Sequence, residues 1–426
     1  MSGRLRSQHT SSALTWIKPD TKPRRPSSPV GFSGALRRSA ASGPPALQPF
    51  AGSRRYRSVS SSRGTPKSFR AVARSLMQHS VKLVSVGTAV PPHVIDQGDA
   101  ARASHTAFSS RFGDFEKLAR VFETSGIQRR YGVRPIEWYL ETSGWPERNL
   151  AHIEGAGAMF VSAASKALAS AGLSAGDVDT IVTVSSTGIA TPSLEARVSR
   201  ELGFRDDVER VPVFGLGCAG GVSGLSIASR LAASRPGSVV LVVAVETCTL
   251  AFRMDKLTKA NIVATALFGD GAAACVVRAS EAGLAEIEFA GQHTWPDTLD
   301  IMGWSVDPEG LGVIFDRAIP PFAETHVLKG VTSILARSDL TPADVDRFAC
   351  HPGGSKVITA LESALKLSQG TLDKEREVLS DYGNMSSPTA LFVLEKLLAH
   401  GLPRRTVLTA MGPGFTLSCL SLRAAA

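Results

Sequence analysis

The sequence predicts an α/β protein in layers, built from two halves of similar plan. From Val81 onward, short apolar runs alternate with segments of helical periodicity. The stretch 173–179, LSAGDVD, returns at 340–346 as LTPADVD, each time between a helix and a strand that runs into a Gly-bearing loop. A chain of 426 residues, 43% hydrophobic, has material for a duplicated core. In such a plan the sites lie where strand ends of the two halves meet.

Residues 1–76 stand apart. They are rich in Ser, Arg, Pro and Gly, lack sustained periodicity and read as disordered. They hold 15 of the 47 Lys and Arg but only one of the 38 acidic residues, so the formal charge of +9 belongs to this extension. The folded remainder is slightly acidic, and no nucleic-acid partner is expected for it. The extension reads as an organelle-targeting segment, as an arm for nucleic acid or an anionic membrane surface, or as the product of an upstream start, with Met77 the expected initiator.

The elements follow in order. Residues 81–91 (VKLVSVGTAVP) read as a strand and 108–120 as a helix, with a basic turn closing 127–131. Small residues make 155–171 a helix, 178–186 is a strand, and a loop (TGIATPS) leads to a helix from Leu194. Strands are expected at 211–214, 239–245 and 268–278. A second half begins near Ala285, with a helix over 325–336, a strand ending at Cys350, a helix over 388–400 and a strand over 405–408. The predicted division is 1–76, 77–284 and 285–426. No apolar run reaches the ~18 residues of a spanning helix, so no membrane span is expected. Five cysteines, odd in number and widely spaced, suggest neither a disulfide framework nor a metal site; a reducing cytoplasm fits.

Strand, tight turn and helix meet in VPVFGLGCAGGVSGLSIASRLAA, residues 211–233. Cys218 sits in the turn, where free N–H groups and the helix dipole favour an anion and bias a thiol toward thiolate. The plain alternative is a small buried cysteine. A sharper rival is a dinucleotide site: Gly215-x-Gly217-x-x-Gly220 follows a strand, and Glu246 ends the next apolar run where a ribose-binding acid would sit. Against it, the turn lies late in its half, and the motif leaves the cysteine unexplained.

His351 ends a strand before Pro-Gly-Gly, and Asn384 stands in YGNMSSP before a helix. Each has an ordinary reading, as an exposed loop histidine and a capping amide. Together, Cys218, His351 and Asn384 all lie at element junctions flanked by glycine.

The motifs GLGCAGG, CHPGG, YGNMSSP, LFGDGAA and MGPGFT resemble the type III polyketide synthases, the chalcone synthase-like family, from about Met77 to the C-terminus. The resemblance implies a thiolase-like duplicated αβαβα core of five layers and a homodimer. It implies a catalytic triad of Cys218, His351 and Asn384, with acyl-CoA and malonyl-CoA as substrates and no metal or redox cofactor. Ketoacyl-carrier-protein synthases share the three residue types, but their Asn motif usually differs from GNMSS. The chemistry suits the residues. A thiolate takes the acyl group, with imidazolium at His351 to stabilise it, and malonyl decarboxylation needs donors on a developing enolate, which His351 and Asn384 would supply.

Phe268 in LFGDG resembles the family's gatekeeper, and Val313 falls at the second gatekeeper position, with Phe315 there if the alignment shifts by two. Lys117 and Arg120 resemble positions that meet the CoA phosphates. Gly353 and Gly354 would let a pantetheine arm approach the backbone. The segments around 245–274 and 298–322 look most like bacterial alkylresorcinol and alkylpyrone synthases, which implies long fatty acyl starters. Thr191, Ala251 and Ala264 are the small residues expected to open a tunnel for the chain.

Overall fold

A computed structural model describes residues 80–141 and 144–425. The basic extension 1–76 and Met77 lie outside the described residues. Thirteen strands are described: β1 (Val81–Ala89), β2 (His93–Asp96), β3 (Arg129–Gly132), β4 (Thr180–Val184), β5 (Glu209–Val213), β6 (Val239–Thr247), β7 (Asp270–Ala279), β8 (Ala285–Thr294), β9 (Met302–Asp307), β10 (Gly310–Phe315), β11 (Arg347–Cys350), β12 (Arg405–Gly412) and β13 (Thr416–Ala424). The α-helices are α1 (Gln97–Phe108), α2 (Phe115–Thr124), α3 (Trp145–Ser170), α4 (Leu194–Leu202), α5 (Gly220–Ser234), α6 (Lys259–Leu267), α7 (Ile319–Leu335), α8 (Ser355–Ala364), α9 (Asp373–Tyr382) and α10 (Thr389–Ala399).

The duplication is visible in strand order. Nine strands form one sheet, β11-β12-β13-β8-β1-β7-β6-β4-β5. Read from its middle outward, β1-β7-β6-β4 is matched by β8-β13-β12-β11. In both runs the neighbours are antiparallel until the last pair, β6 with β4 and β12 with β11, which are parallel. The repeated sequence has the same structure twice. Ser174 and Asp177 form a capping box before β4, and Thr341 and Asp344 form one before β11. In each, the hydroxyl donates to the carboxylate at 2.7 Å.

Three hydrophobic clusters hold the five layers together. In the middle, Val222, Leu225, Ala228 and Ala232 of α5 and the apolar face of α10 are buried between strands of both halves. On one outside, Met159, Phe160, Ala163 and Ala167 of α3 cover β1, β6 and β7. On the other, Val327, Val331 and Ile334 of α7, with α8, cover β8 and β13. β6 and β7 are buried on both faces, which is why VVLVVAVET and DGAAACVVRA read as unbroken apolar runs. This is the αβαβα arrangement the resemblance implies. Among the described residues no helix is long and apolar enough to cross a membrane.

Two predicted elements differ. The helix expected over 108–120 is two helices, α1 and α2, with a turn at 109–114. Its stripe of Phe108, Phe112 and Phe115 is a small cluster that packs across the turn onto Ile262. The basic turn expected at 127–131 contains β3, which pairs with β2.

Candidate active site

Cys218 occupies the single 3₁₀ turn, Gly217–Ala219, that feeds α5. Gly217 has φ +46°, and a Cβ there would lie 2.7 Å from Pro413 Cδ, so the turn closes only on glycine. A Cβ on Gly221 would lie 2.2 Å from the carbonyl oxygen of Ser387, so glycine lets the start of α5 touch the loop that carries Asn384. Nucleophile and amide, 166 positions apart, are thereby brought together: the Cys218 thiol donates to Asn384 Oδ1 at 3.9 Å.

Asn384 is tied into three segments. Its N–H donates to Leu267 O at 2.8 Å and its carbonyl accepts from Gly269 N–H at 3.1 Å, fixing it beside Phe268. Its Oδ1 accepts from Ser386 N–H at 2.8 Å, and its Nδ2 donates to Gly353 O at 3.2 Å, beyond His351. The His351 backbone N–H donates to Thr409 O at 2.8 Å, holding the residue where β11 ends against β12. The His351 ring is buried, and neither nitrogen has a hydrogen-bond partner.

Electrostatics here run against the thiolate expected from the helix N-terminus. Burial pushes the Cys218 thiol up to about 11; the Glu246 charge adds to this, while Ser386 and Asn384 hydrogen bonds oppose it. Burial holds His351 down to about 4. The ligand-free pair is therefore a thiol and a neutral imidazole, because desolvation outweighs the dipole.

Three spaces connect at this point. The first is a narrow pocket beside the thiol, lined by Phe268, Met302, Trp304, Val313, Phe315 and Cys248. Both gatekeeper candidates face it. Val313 is the aliphatic wall, and Phe315 stands edge-on to Phe268 with centroids 6.5 Å apart. Trp304, also edge-on to Phe268 at 6.1 Å, was not singled out from sequence. Its signal was available: MGWSVD and GLGVIF pair as a β9–β10 hairpin that sets Trp304 opposite Val313.

The second is an open cleft that meets the pocket at Phe315. Lys117, Arg120, Gly353 and Gly354 all line it. Sequence reasoning missed its other cations, Lys259, Arg317 and Lys356, which come from three further segments and share no local motif.

The third is a cavity that shares Phe268 and Cys248 with the pocket and is walled mainly by Ile95, Ala100, Ile136, Leu140, Phe252 and Ala264. Of the three small residues expected to open a tunnel, Ala264 lines it. Ala251 is buried but lines neither this cavity nor the thiol pocket. Thr191 is exposed at a cis Thr191–Pro192 bend, outside both. The small size of these two side chains reflects a 3₁₀ turn and a surface loop.

The dinucleotide reading fails at its acid. Glu246 is fully buried, accepting from Ser186 N–H, Thr187 Oγ1 and Ser387 Oγ, each at 2.8 Å. It has no face left for a ribose. It ties the loop after β4 to the loop after Asn384.

A duplicated five-layer core with a buried thiol and an amide at the junction of its halves is compatible with a condensing acyltransferase. Comparison with known proteins agrees. The model for chalcone and stilbene synthases, N-terminal domain, matches residues 69–281, and that for the C-terminal domain matches 286–426. The chain belongs to the chalcone and stilbene synthase family and is a type III polyketide synthase. It is 37% identical to a 1,3,6,8-tetrahydroxynaphthalene synthase of Streptomyces peucetius subsp. caesius, over 82% of this chain and 94% of that one. It is 33% identical to type III polyketide synthase A of Arabidopsis thaliana, over 84% and 95%. The crystal structure of the Streptomyces coelicolor A3(2) 1,3,6,8-tetrahydroxynaphthalene synthase superposes with a TM-score of 0.77 at 28% identity, covering 81% of this chain and 99% of that one. Members of this class are decarboxylating acyltransferases that use acyl-CoA and malonyl-CoA.

Proposed function

We propose that this synthase loads a long-chain fatty acyl group onto Cys218, extends it with malonyl-CoA and closes the product to an alkylpyrone or alkylresorcinol. The observation that carries the reading is the path from cationic cleft through thiol pocket to apolar cavity. A CoA thioester laid along it puts phosphates among Lys117, Arg120, Lys259, Arg317 and Lys356, the carbonyl at Cys218, and the alkyl tail behind Phe268.

In this reading the Cys218 proton passes to His351 as the sulfur attacks the acyl carbon, and CoA leaves as the thiol, taking that proton. Malonyl-CoA then loses CO₂, and its enolate oxygen is held by N–H donors of His351 and Asn384. The enolate carbon attacks the Cys218 thioester and frees the thiolate. No step calls for a metal or redox cofactor. The reaction is assigned to the cytoplasm, in keeping with five buried, unpaired cysteines. A homodimer is part of the proposal. Its support is the open edge of the sheet at β5, beside which Phe214 (63%) and Ile189 (55%) are exposed.

The test is mass spectrometry of products from the full chain given malonyl-CoA and a ladder of starters from acetyl- to stearoyl-CoA. Alkylpyrones or alkylresorcinols from long starters are expected. Products from short starters alone would overturn the alkyl reading. So would a tetrahydroxynaphthalene, the product named in both Streptomyces relatives, as the sole product.

A further inference from the structure

The rear cavity is apolar except at one place. Among its polar lining side chains, Tyr139 is bonded to Thr249 at 2.7 Å, Thr249 is also bonded to Asp270, and Thr265 donates to the carbonyl of Asn261 at 2.8 Å. Arg130 is different. It also lines the cavity, it is 3% exposed, and its Nη1 is buried with no hydrogen-bond partner. The nearby buried carboxylate does not supply an acceptor to it. Asp270 instead accepts from the N–H groups of Val133 and Thr249, both at 2.8 Å, and from the Thr249 hydroxyl. A buried charged donor without an acceptor costs more than a lost neutral hydrogen bond. Asp270 offsets the charge.

The position of Arg130 along the cavity is set by its stem. A Cβ on Gly269 would lie 3.2 Å from Arg130 Cβ, so the stem runs beside the Phe268–Gly269 backbone, at the end nearest Cys218. The apolar walls from Ala100, Ala103, Ile136 and Leu140 come from α1 and the segment after β3. A chain held at Cys218 and threaded past Phe268 would present its first carbons to Arg130 and its distal carbons to those walls. After extension those first carbons bear keto groups, whereas the distal ones are the starter's own alkyl chain.

We infer that Arg130 is a specificity-determining residue whose guanidinium donates to a keto or enolate oxygen of the elongating β-keto acyl chain. This inference rests on the acyl-primed reading above. The ligand class is a poly-β-keto thioester, and the function is to favour the chain that has acquired a keto group at the right distance from Cys218. The number of malonyl units added before release then depends on this one donor, while loading of the unsubstituted starter does not.

The experiment uses the full chain with octanoyl-CoA and malonyl-CoA. Intact-protein mass reads octanoyl loading on Cys218, and product mass reads the distribution over malonyl units added. Wild-type loading tests the acyl-primed reading separately from Arg130. Arg130→Met is expected to load octanoyl as wild type does and to shift the ratio of triketide to tetraketide products about tenfold, the loss of one charge-assisted hydrogen bond. Arg130→Lys, which keeps a donor and the buried charge, is expected to restore part of the wild-type ratio. It also decides the question if the Met variant fails to fold. An Arg130→Met variant that loads octanoyl and gives the wild-type product distribution overturns the inference.

Discussion

The front cleft and the rear cavity open onto the same thiol pocket, and they are built from opposite materials. The cleft gathers five cations, four of them on helix α2 or at the first residues of α6 and α8. The rear cavity gathers small and aliphatic side chains around a single buried guanidinium. Cations suit a polyanion that keeps its water, whereas an apolar lining suits a tail that leaves water behind. The difference sets the direction of a thioester: its carrier goes forward and its acyl chain goes back. Cys218, at the junction, needs neither kind of wall. In the proposed reaction it needs the donors and the proton acceptor that Asn384 and His351 would bring from the second half of the chain.

The strongest way to separate the junction from the two spaces is Asn384→Asp. A carboxylate would repel the enolate without closing either space. Malonyl-dependent condensation should fall by about a hundredfold while octanoyl loading on Cys218 persists. Equal loss of both would place Asn384 in the build of the pocket instead. Next in size is the pH dependence of Cys218 alkylation by iodoacetamide. Only the thiolate reacts, and burial holds the thiol up at about 11, so the rate should climb about tenfold per pH unit between pH 7 and 10. A plateau from pH 6 would mean a resting thiolate–imidazolium pair. The smallest effect is expected at the front. Arg317→Ala with Lys356→Ala should raise KM for acyl-CoA about fivefold with kcat unchanged, and added salt should narrow the gap. A change in product length in that variant would break the division of labour.

Much of this was legible in the chain. LSAGDVD and LTPADVD announce the duplication because each codes a capped turn into a strand, a local event. Cys218, His351 and Asn384 were legible because each needs a glycine-bearing junction. Lys117, Arg120 and Gly353 could be placed by resemblance to family motifs. The rest depends on long-range closure. Trp304 reaches the thiol pocket only through the β9–β10 hairpin. Lys259, Arg317 and Lys356 converge from separate segments. Arg130 reads as one more basic residue of a turn until β3 carries it inside. Thr191 and Ala251 show the converse, since a small residue near a motif does not reveal which way the space lies.

The central claim is that the acyl tail occupies the cavity behind Phe268. It is tested most directly by the starter-length profile of Cys218 loading in wild type and Ala264→Trp, read by intact-protein mass from acetyl- to stearoyl-CoA. Ala264 lines that cavity and neither the thiol pocket nor the front cleft. The account predicts unchanged loading of acetyl and butyryl groups and at least a tenfold loss for dodecanoyl and longer groups, about the cost of a few methylenes denied burial. An unchanged profile for the long chains would contradict it and send the tail elsewhere.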